Sequence, residues 1–439
     1  MAEHGGWRAP LARLGLDDSV RVSWAMYDWA NSAFATTIMA AVLPIYYANV
    51  AGKHLVGDNT ASAYWGYTTA TALLLIALAS PLMGAAADYL GAKRRFMAVF
   101  VGLGISFTAA LWFVREGDWL LASIIFILAN IGFAGANVFY DSLLPHIVDD
   151  ARIDRLSASG YALGYLGGGL LLVVNLAWIM QPERFGMADA SEASRWAMVS
   201  VALWWLVFSI PLFRNVPEPH PPQAGFRPSA GEVVRVSFGR LIATAREIRR
   251  YRDLGLFLLA FLIYNDGIGT IIKMATIYGD EIGIESKDLI GALVLTQFVG
   301  VPFAFAFGAL ARRIGVKRGI YVALVGYTLI SVLGFFMREA WHFWALALAI
   351  ATVQGGSQAL SRSLFGSMVP RDKSSEFFGF FSVSAKFAGI AGPLIFAAVS
   401  QMAGSSRLSI LSLIVFFLAG MALLTRVDVE AGQRAARAG

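Results

Sequence analysis

Apolar residues run through this chain in long blocks divided by short polar interruptions. A helix needs roughly 20 mostly apolar residues to cross a bilayer. That ruler finds twelve blocks, at about 22–48, 62–87, 95–114, 119–140, 157–180, 196–213, 254–279, 288–311, 318–337, 341–366, 376–402 and 407–425. They are about twice the length of a membrane β-strand and do not alternate with polar residues, so they predict helices rather than a barrel. Trp119, Trp178, Trp196 and Trp341 fall at block ends, where an amphipathic ring sits well at the membrane boundary. The expectation is an all-α membrane protein with twelve transmembrane helices.

Composition removes other classes. Hydrophobic residues make up 57% of the chain and charged ones 15%, against roughly 45–50% and about 25% in soluble domains, so a soluble enzyme is excluded. Without cysteine there is no disulfide scaffold, thiolate metal site or cysteine nucleophile. The histidines, His4, His54, His146, His220 and His342, offer no pair at helical metal spacing, and no metal is expected. Phosphate-loop, nucleophile-elbow and dinucleotide patterns are missing, which argues against ATP hydrolysis, against an enzyme and against a cofactor. The net charge of +6 comes from basic clusters between apolar blocks. With both termini cytoplasmic, about 25 of the 35 lysines and arginines lie on the cytoplasmic side and about 7 outside. Membrane orientation explains that bias better than a nucleic-acid partner does.

Between the sixth and seventh blocks the run PEPHPP opens a basic linker. Its second part sets Val234, Phe238, Leu241, Ala245 and Ile248 on one helical stripe beside arginines, predicting a helix that lies on the inner leaflet. Three parts result: a six-helix bundle over 1–213, the cytoplasmic linker over 214–253 and a second six-helix bundle over 254–439. The halves echo each other at an offset of about 220–225 residues. Gly84, Asp88, Gly91, Lys93 and Arg94 after the second helix are matched by Gly308, Arg312, Gly315, Lys317 and Arg318 after the eighth. Likewise, Asp141-Ser142-Leu143 is matched by Arg362-Ser363-Leu364.

Ionisable residues within the spans are candidates for function, because each costs several kcal/mol unless it meets a cavity or a partner. They are Asp28, Asp141, Asp266, Lys273, Arg362 and Lys386. Asp28, Asn31 and Pro44 in the first helix, and Asn265, Asp266, Gly267 and Gly269 in the seventh, make the opening helix of each half polar and breakable, a pattern that points to a transport site. Asp266, Lys273 and Lys386 are expected in the cavity, with Asp28 as a coupling acid or part of an inner gate. Lys386 could instead bridge permanently to either acid. Asp141 and Arg362, near the cytoplasmic ends of helices four and ten, suit a gate. Gln354 and Gln358 could bind a zwitterion or neighbouring helices. Gly160, Gly164 and Gly168 recur every four residues, the spacing for close helix packing.

The pattern Gly84-x-x-x-Asp88-x-x-Gly91-x-Lys93-Arg94 resembles the signature loop of the major facilitator superfamily, which implies a cytoplasmic latch there. Arg312 replaces the acid in the second copy, so the latch should be asymmetric. YDWANSAF at 27–34, YNDGIGTII at 264–272, GGSQALSRSLFGSMVP at 355–370 and EFFGFFSVSAKFAGIAGPL at 376–394 resemble the branch that contains the vacuolar amino-acid effluxer of autophagy and its bacterial relatives. The resemblance implies a monomeric secondary transporter of amino acids or similar small solutes in a bacterial plasma membrane, working by alternating access, with protons as a candidate coupling ion. A lipid translocase or a non-transporting membrane sensor on the same fold is the alternative. A closed polar cavity would favour the first and a lateral apolar opening the second.

Overall fold

The computed structural model describes residues 11–12, 14–55, 60–219, 228–247, 251–281, 284–387, 392, 395–396, 398–399, 402 and 406–438. All regular structure among them is helical. The first half comprises α1 (Ser19–Ala51), α2 (Thr60–Leu90), α3 (Lys93–Phe113), α4 (Trp119–Ile147), α5 (Ile153–Met180) and α6 (Ala190–Asn215). The linker helix, Ala230–Glu247, follows. The second half comprises α7 (Arg252–Glu281), α8 (Ser286–Ile314), α9 (Val316–Phe335), α10 (Ala340–Ser367), α11 (Ser374–Phe387) and α12 (Ser406–Thr425), with a short α13 (Val429–Arg437) after it. Among the described residues eleven helices are long and apolar enough to span a membrane. The block expected at 376–402 begins within α11, and most of its residues beyond 387 lie outside the described ones.

Each half has its own aromatic core. In the first, Trp24, Phe34, Phe126, Phe133, Phe139 and Trp205 are buried together, with Phe34 and Phe133 stacked at 4.8 Å. The second collects Phe257, Phe261, Tyr264, Tyr327, Phe365 and Phe417, with Phe261 stacked on Phe381 at 4.3 Å. Lipid is as apolar as these side chains, so close van der Waals fit rather than water exclusion holds the bundles together.

Polar positions near the apolar block ends remain helical. Helix α4 continues to Ile147 and α10 to Ser367, which places Asp141 and Arg362 inside their helices rather than at the ends. Hydropathy marks where charges begin, and here the charges neutralise each other between halves. The opening helices also differ from expectation. Two π-helical stretches, Phe34–Ala41 and Tyr47–Ala51, interrupt α1 around Pro44. By contrast, α7 runs unbroken through Asn265 and Gly269, and Gly267 within it makes room for the Phe417 ring and the Phe416 Cβ of α12. In the paired loops, Gly91 (φ +57°) and Gly315 (φ +88°) adopt backbone angles that other residues resist, so both copies of the motif turn on glycine.

Close crossings depend on missing side chains. A Cβ on Gly132 of α4 would lie 2.3 Å from the Gly104 nitrogen of α3, whereas one on Gly102 meets nothing within 4 Å. Gly132→Ala should therefore lower the melting temperature in detergent. Gly102→Ala should leave it unchanged or raise it, since alanine favours a helix by roughly 0.5–1 kcal/mol. Equal melting of the two variants would contradict the crossing.

Candidate functional site

A cavity of about 550 Å³ opens between the halves. Its walls come from α1, α4 and α5 on one side and from α7 to α12 on the other. From a polar floor at Asp28 and Arg362 it reaches Met337 and Phe343, beside the α9–α10 turn on the side away from the linker. Helix α1 lines it through Asp28, Asn31, Ser32 and the π stretch at Ala35, Thr36 and Ala40. An i→i+5 turn widens the helix locally, a feature common at functional sites. The Gly160/Gly164/Gly168 stripe of α5 lets α1 approach: added Cβ atoms would meet Asp28 Oδ2 at 2.3 Å, Ser32 Oγ at 2.5 Å and Thr36 Cγ2 at 3.0 Å.

Arg362 closes the floor. It projects from α10 into the first half, where it is 2% exposed. Its Nη1 donates to Asp28 Oδ2 and Asp141 Oδ1, both at 3.2 Å, and its Nη2 to Asp28 Oδ2 at 3.1 Å and the Ser157 carbonyl at 2.9 Å. Nε donates to Ser157 Oγ at 2.9 Å. The guanidinium carbon also lies 4.3 Å from the Tyr161 ring centroid and 5.0 Å from that of Trp24. Tyr140 donates to Asp28 Oδ2 at 2.8 Å and stacks on Trp24, whose indole nitrogen donates to the Tyr140 carbonyl. Tyr140, itself held by Trp24, thereby fixes the Asp28 carboxylate beside the arginine. One cation faces two acids, and the planar fork of arginine makes this sharing possible.

Among the described residues the polar groups above the floor are uncharged. Asn31 donates to Asn137 at 2.6 Å, Tyr165 to Gln358 at 3.3 Å, and Asn265, Gln297 and Gln354 complete the lining. Gln358 and Gln354 stand one and two turns above Arg362, about 6 Å apart along the axis. Asp266 does not line the cavity. Its neighbour Asn265 does, and the roughly 100° between successive helical residues turns Asp266 toward α11, where Oδ2 accepts the Gly392 amide at 3.0 Å. The sequence ranking of Asp266 above Asp28 as a cavity acid is thus reversed among the described residues. The side chains of Lys273 and Lys386 lie outside those residues.

The signature loop makes a second closure at the linker end. Asp88 pairs with Lys93 in a buried contact, accepts the backbone amides of Ser375 (3.3 Å) and Glu376 (2.8 Å), and so caps the start of α11. Lys93 donates in turn to Ser374 Oγ at 2.9 Å and Ser375 Oγ at 3.0 Å, and His146 bonds Ser374 at 3.0 Å. Gly84 is indispensable to this seam, since a Cβ there would stand 2.2 Å from the Ser375 carbonyl oxygen. Gly91 makes the turn, while Arg94 ties the loop to the end of α6 and the start of the linker, bonding the Phe213 carbonyl and offering its amide to Glu218 at 2.9 Å. In the second copy Lys317 caps α12 instead, through the Thr425 and Val427 carbonyls at 3.2 and 2.7 Å.

Trp24, Asn137, Tyr140, Ser157 and Tyr161 were not singled out by the sequence reading. Asn137 and Tyr140 lie four and one residues before Asp141 on α4, a proximity that could have suggested them. Trp24 lies four residues before Asp28 in the same way, whereas Ser157 and Tyr161 have no intramembrane charge beside them in sequence.

The floor predicts a double-mutant result. Arg362→Met strands the buried Asp28 and the half-buried Asp141 and should destabilise the protein by about 3–5 kcal/mol. Adding Asp28→Asn should recover part of that loss in detergent melting. If the double variant melts no higher than Arg362→Met alone, the pairing contributes nothing.

Comparison with known proteins agrees with this geometry. Residues 53–437 match the family model described as vacuole effluxer Atg22 like. The chain is 40% identical over 410 residues to the MFS-type transporter YxiO of Bacillus subtilis, covering 93% of this chain and 94% of that one. It is 25% identical to Autophagy-related protein 22 of Pichia angusta, covering 92% and 81%. Among solved structures, the major facilitator proton:xylose symporter XylE superposes with a TM-score of 0.67 at 14% identity, covering 93% of this chain and 95% of that one, which shows the shared fold. The chain belongs to the vacuole effluxer Atg22-like family, a family of major facilitator transporters.

Proposed function

We propose that this transporter moves amino acids or similar small zwitterions out of a bacterial cell, coupled to protons, with the linker and both termini on the cytoplasmic side of the plasma membrane. One observation carries the reading. The floor of the cavity offers a carboxylate, Asp28, beside a guanidinium, Arg362, beneath a ladder of amides at Asn31, Asn137, Asn265, Gln354 and Gln358. An ammonium group can compete for the acid and a carboxylate for the arginine, while the amides serve either. The cavity volume lies within the range of small-molecule sites, roughly 300–1,000 Å³. The basic excess on the linker side supports the orientation, and the word effluxer in the family description supports the direction.

In this reading the structure is outward-facing: the linker end is shut by the Arg362 floor and the Asp88 latch, and the cavity leads to the other side. A zwitterion drawing on Asp28 and Arg362 weakens the bonds that hold the floor together. A proton arriving at Asp28 does the same, which gives substrate and ion a shared point of action. Binding thereby favours parting of the halves, because a ligand shifts an equilibrium by its differential affinity for the two states.

Counterflow of a labelled amino-acid mixture into proteoliposomes tests the proposal. Saturable uptake by the wild type, responsive to an imposed pH gradient, is expected. Asp28→Asn should lose at least tenfold in rate, the size of effect that about 1.4 kcal/mol on the barrier produces, together with the pH response. Absence of uptake by folded wild-type protein would overturn the amino-acid reading. Uptake in Asp28→Asn that keeps the wild-type pH response would remove this acid from coupling.

A further inference from the structure

The linker helix presents two different faces. Its inner face lies on α2: Ser237 is 1% exposed, Tyr89 donates to Glu232 Oε1 at 3.2 Å, and the Arg240 guanidinium carbon lies 5.9 Å from the Tyr89 ring centroid. The outer face carries Val234, Phe238 and Ile242 at 53%, 50% and 51% exposure. Spaced every four residues, they form one row about 12 Å long. Leu241, expected in the stripe, is half-buried instead, and Ala245 and Ile248 lie outside the described side chains. Arg235 is exposed beside the row, and from Arg235 to Arg252 the sequence holds six arginines against one acid, Glu247.

Position identifies what covers the row. Tyr89 is the penultimate residue of the spanning helix α2, so the linker helix sits where the span leaves the hydrocarbon. An apolar row edged with arginines at that level is complementary to acyl chains on one side and anionic headgroups on the other. We propose that this face binds the acidic-lipid surface of the linker-side leaflet and that bound lipid holds the Asp88 latch closed. Coupling follows from the chain itself. Tyr89, the contact for Glu232, directly follows Asp88, the cap of α11, and Gly84 on the preceding turn abuts Ser375. Lipid that fixes the linker helix therefore also fixes the turn of α2 that seals the two halves.

The chain has no native cysteine, so Val234→Cys, Phe238→Cys and Ile242→Cys can each carry a single nitroxide label in the full-length protein. In vesicles of phosphatidylcholine with phosphatidylglycerol, the labels should be accessible to oxygen and shielded from a water-soluble nickel complex. Accessibility to nickel in these vesicles would overturn lipid binding. Shielding from both reagents would show a protein contact and overturn it too. For the latch, labelling of Ser382→Cys in the cavity by an impermeant maleimide from the far side should speed up with phosphatidylglycerol. Arg235→Gln with Arg246→Gln should blunt that response, by roughly fivefold per arginine at about 1 kcal/mol each. A labelling rate indifferent to lipid in the wild type, or an undiminished lipid response in the double variant, would overturn the link to the latch.

Discussion

A single guanidinium, buried at the boundary between two bundles, sets the terms for the rest of this structure. Arg362 belongs to the second half by sequence, yet its charge is balanced by Asp28 and Asp141 of the first. Because a lone ion is expensive in the membrane, neither half satisfies its own charges while the halves are apart at this level. The glycines of α5, the helical run of α4 and α10 past their apolar blocks, and the Trp24–Tyr140 stack all serve to deliver partners to that one side chain. In the proposed mechanism anything small and charged that enters the cavity upsets the same balance, so the element that closes the site also senses its contents.

Much of this was readable in the residues, and the limits of the reading have physical causes. Apolar block length gave the spans, because the bilayer imposes that length directly. The twin loops gave the duplication, since Gly91 and Gly315 answer to the same backbone need in each half. Arg362 and Asp141 stand out by charge alone, and the structure pairs them at 3.2 Å, whereas Asp28, expected below Asp266 as a cavity acid, lines the cavity while Asp266 does not. Which of two neighbouring residues faces a cavity depends on the rotation of the helix, and rotation is fixed by packing elsewhere, here by Gly267 against the phenylalanines of α12. Likewise, the glycines and polar residues of α7 gave no hint that its helix would continue while α1 absorbs extra residues in π turns.

The two halves meet along unlike seams. Where α2 meets α11, a carboxylate, an ammonium group and backbone amides are combined with serine hydroxyls. Where α5 meets α8, the close approaches are made by glycines, with Gly308 against Ala158, Gly300 against Tyr165 and Gly169 against Gln297, spread along most of the helix length, while Arg155 and Arg312 repel each other at one end. Charge neutralisation is short-ranged and directional, whereas small-residue packing tolerates sliding. In the proposed alternation, parting of the linker end therefore breaks directional charge contacts at α2–α11 and at the Arg362 floor, and none of that kind along the glycine approaches of α5 and α8. Duplication of the sequence has thus not made the two seams alike, and in the proposed alternation one edge would act as a catch and the other as a hinge.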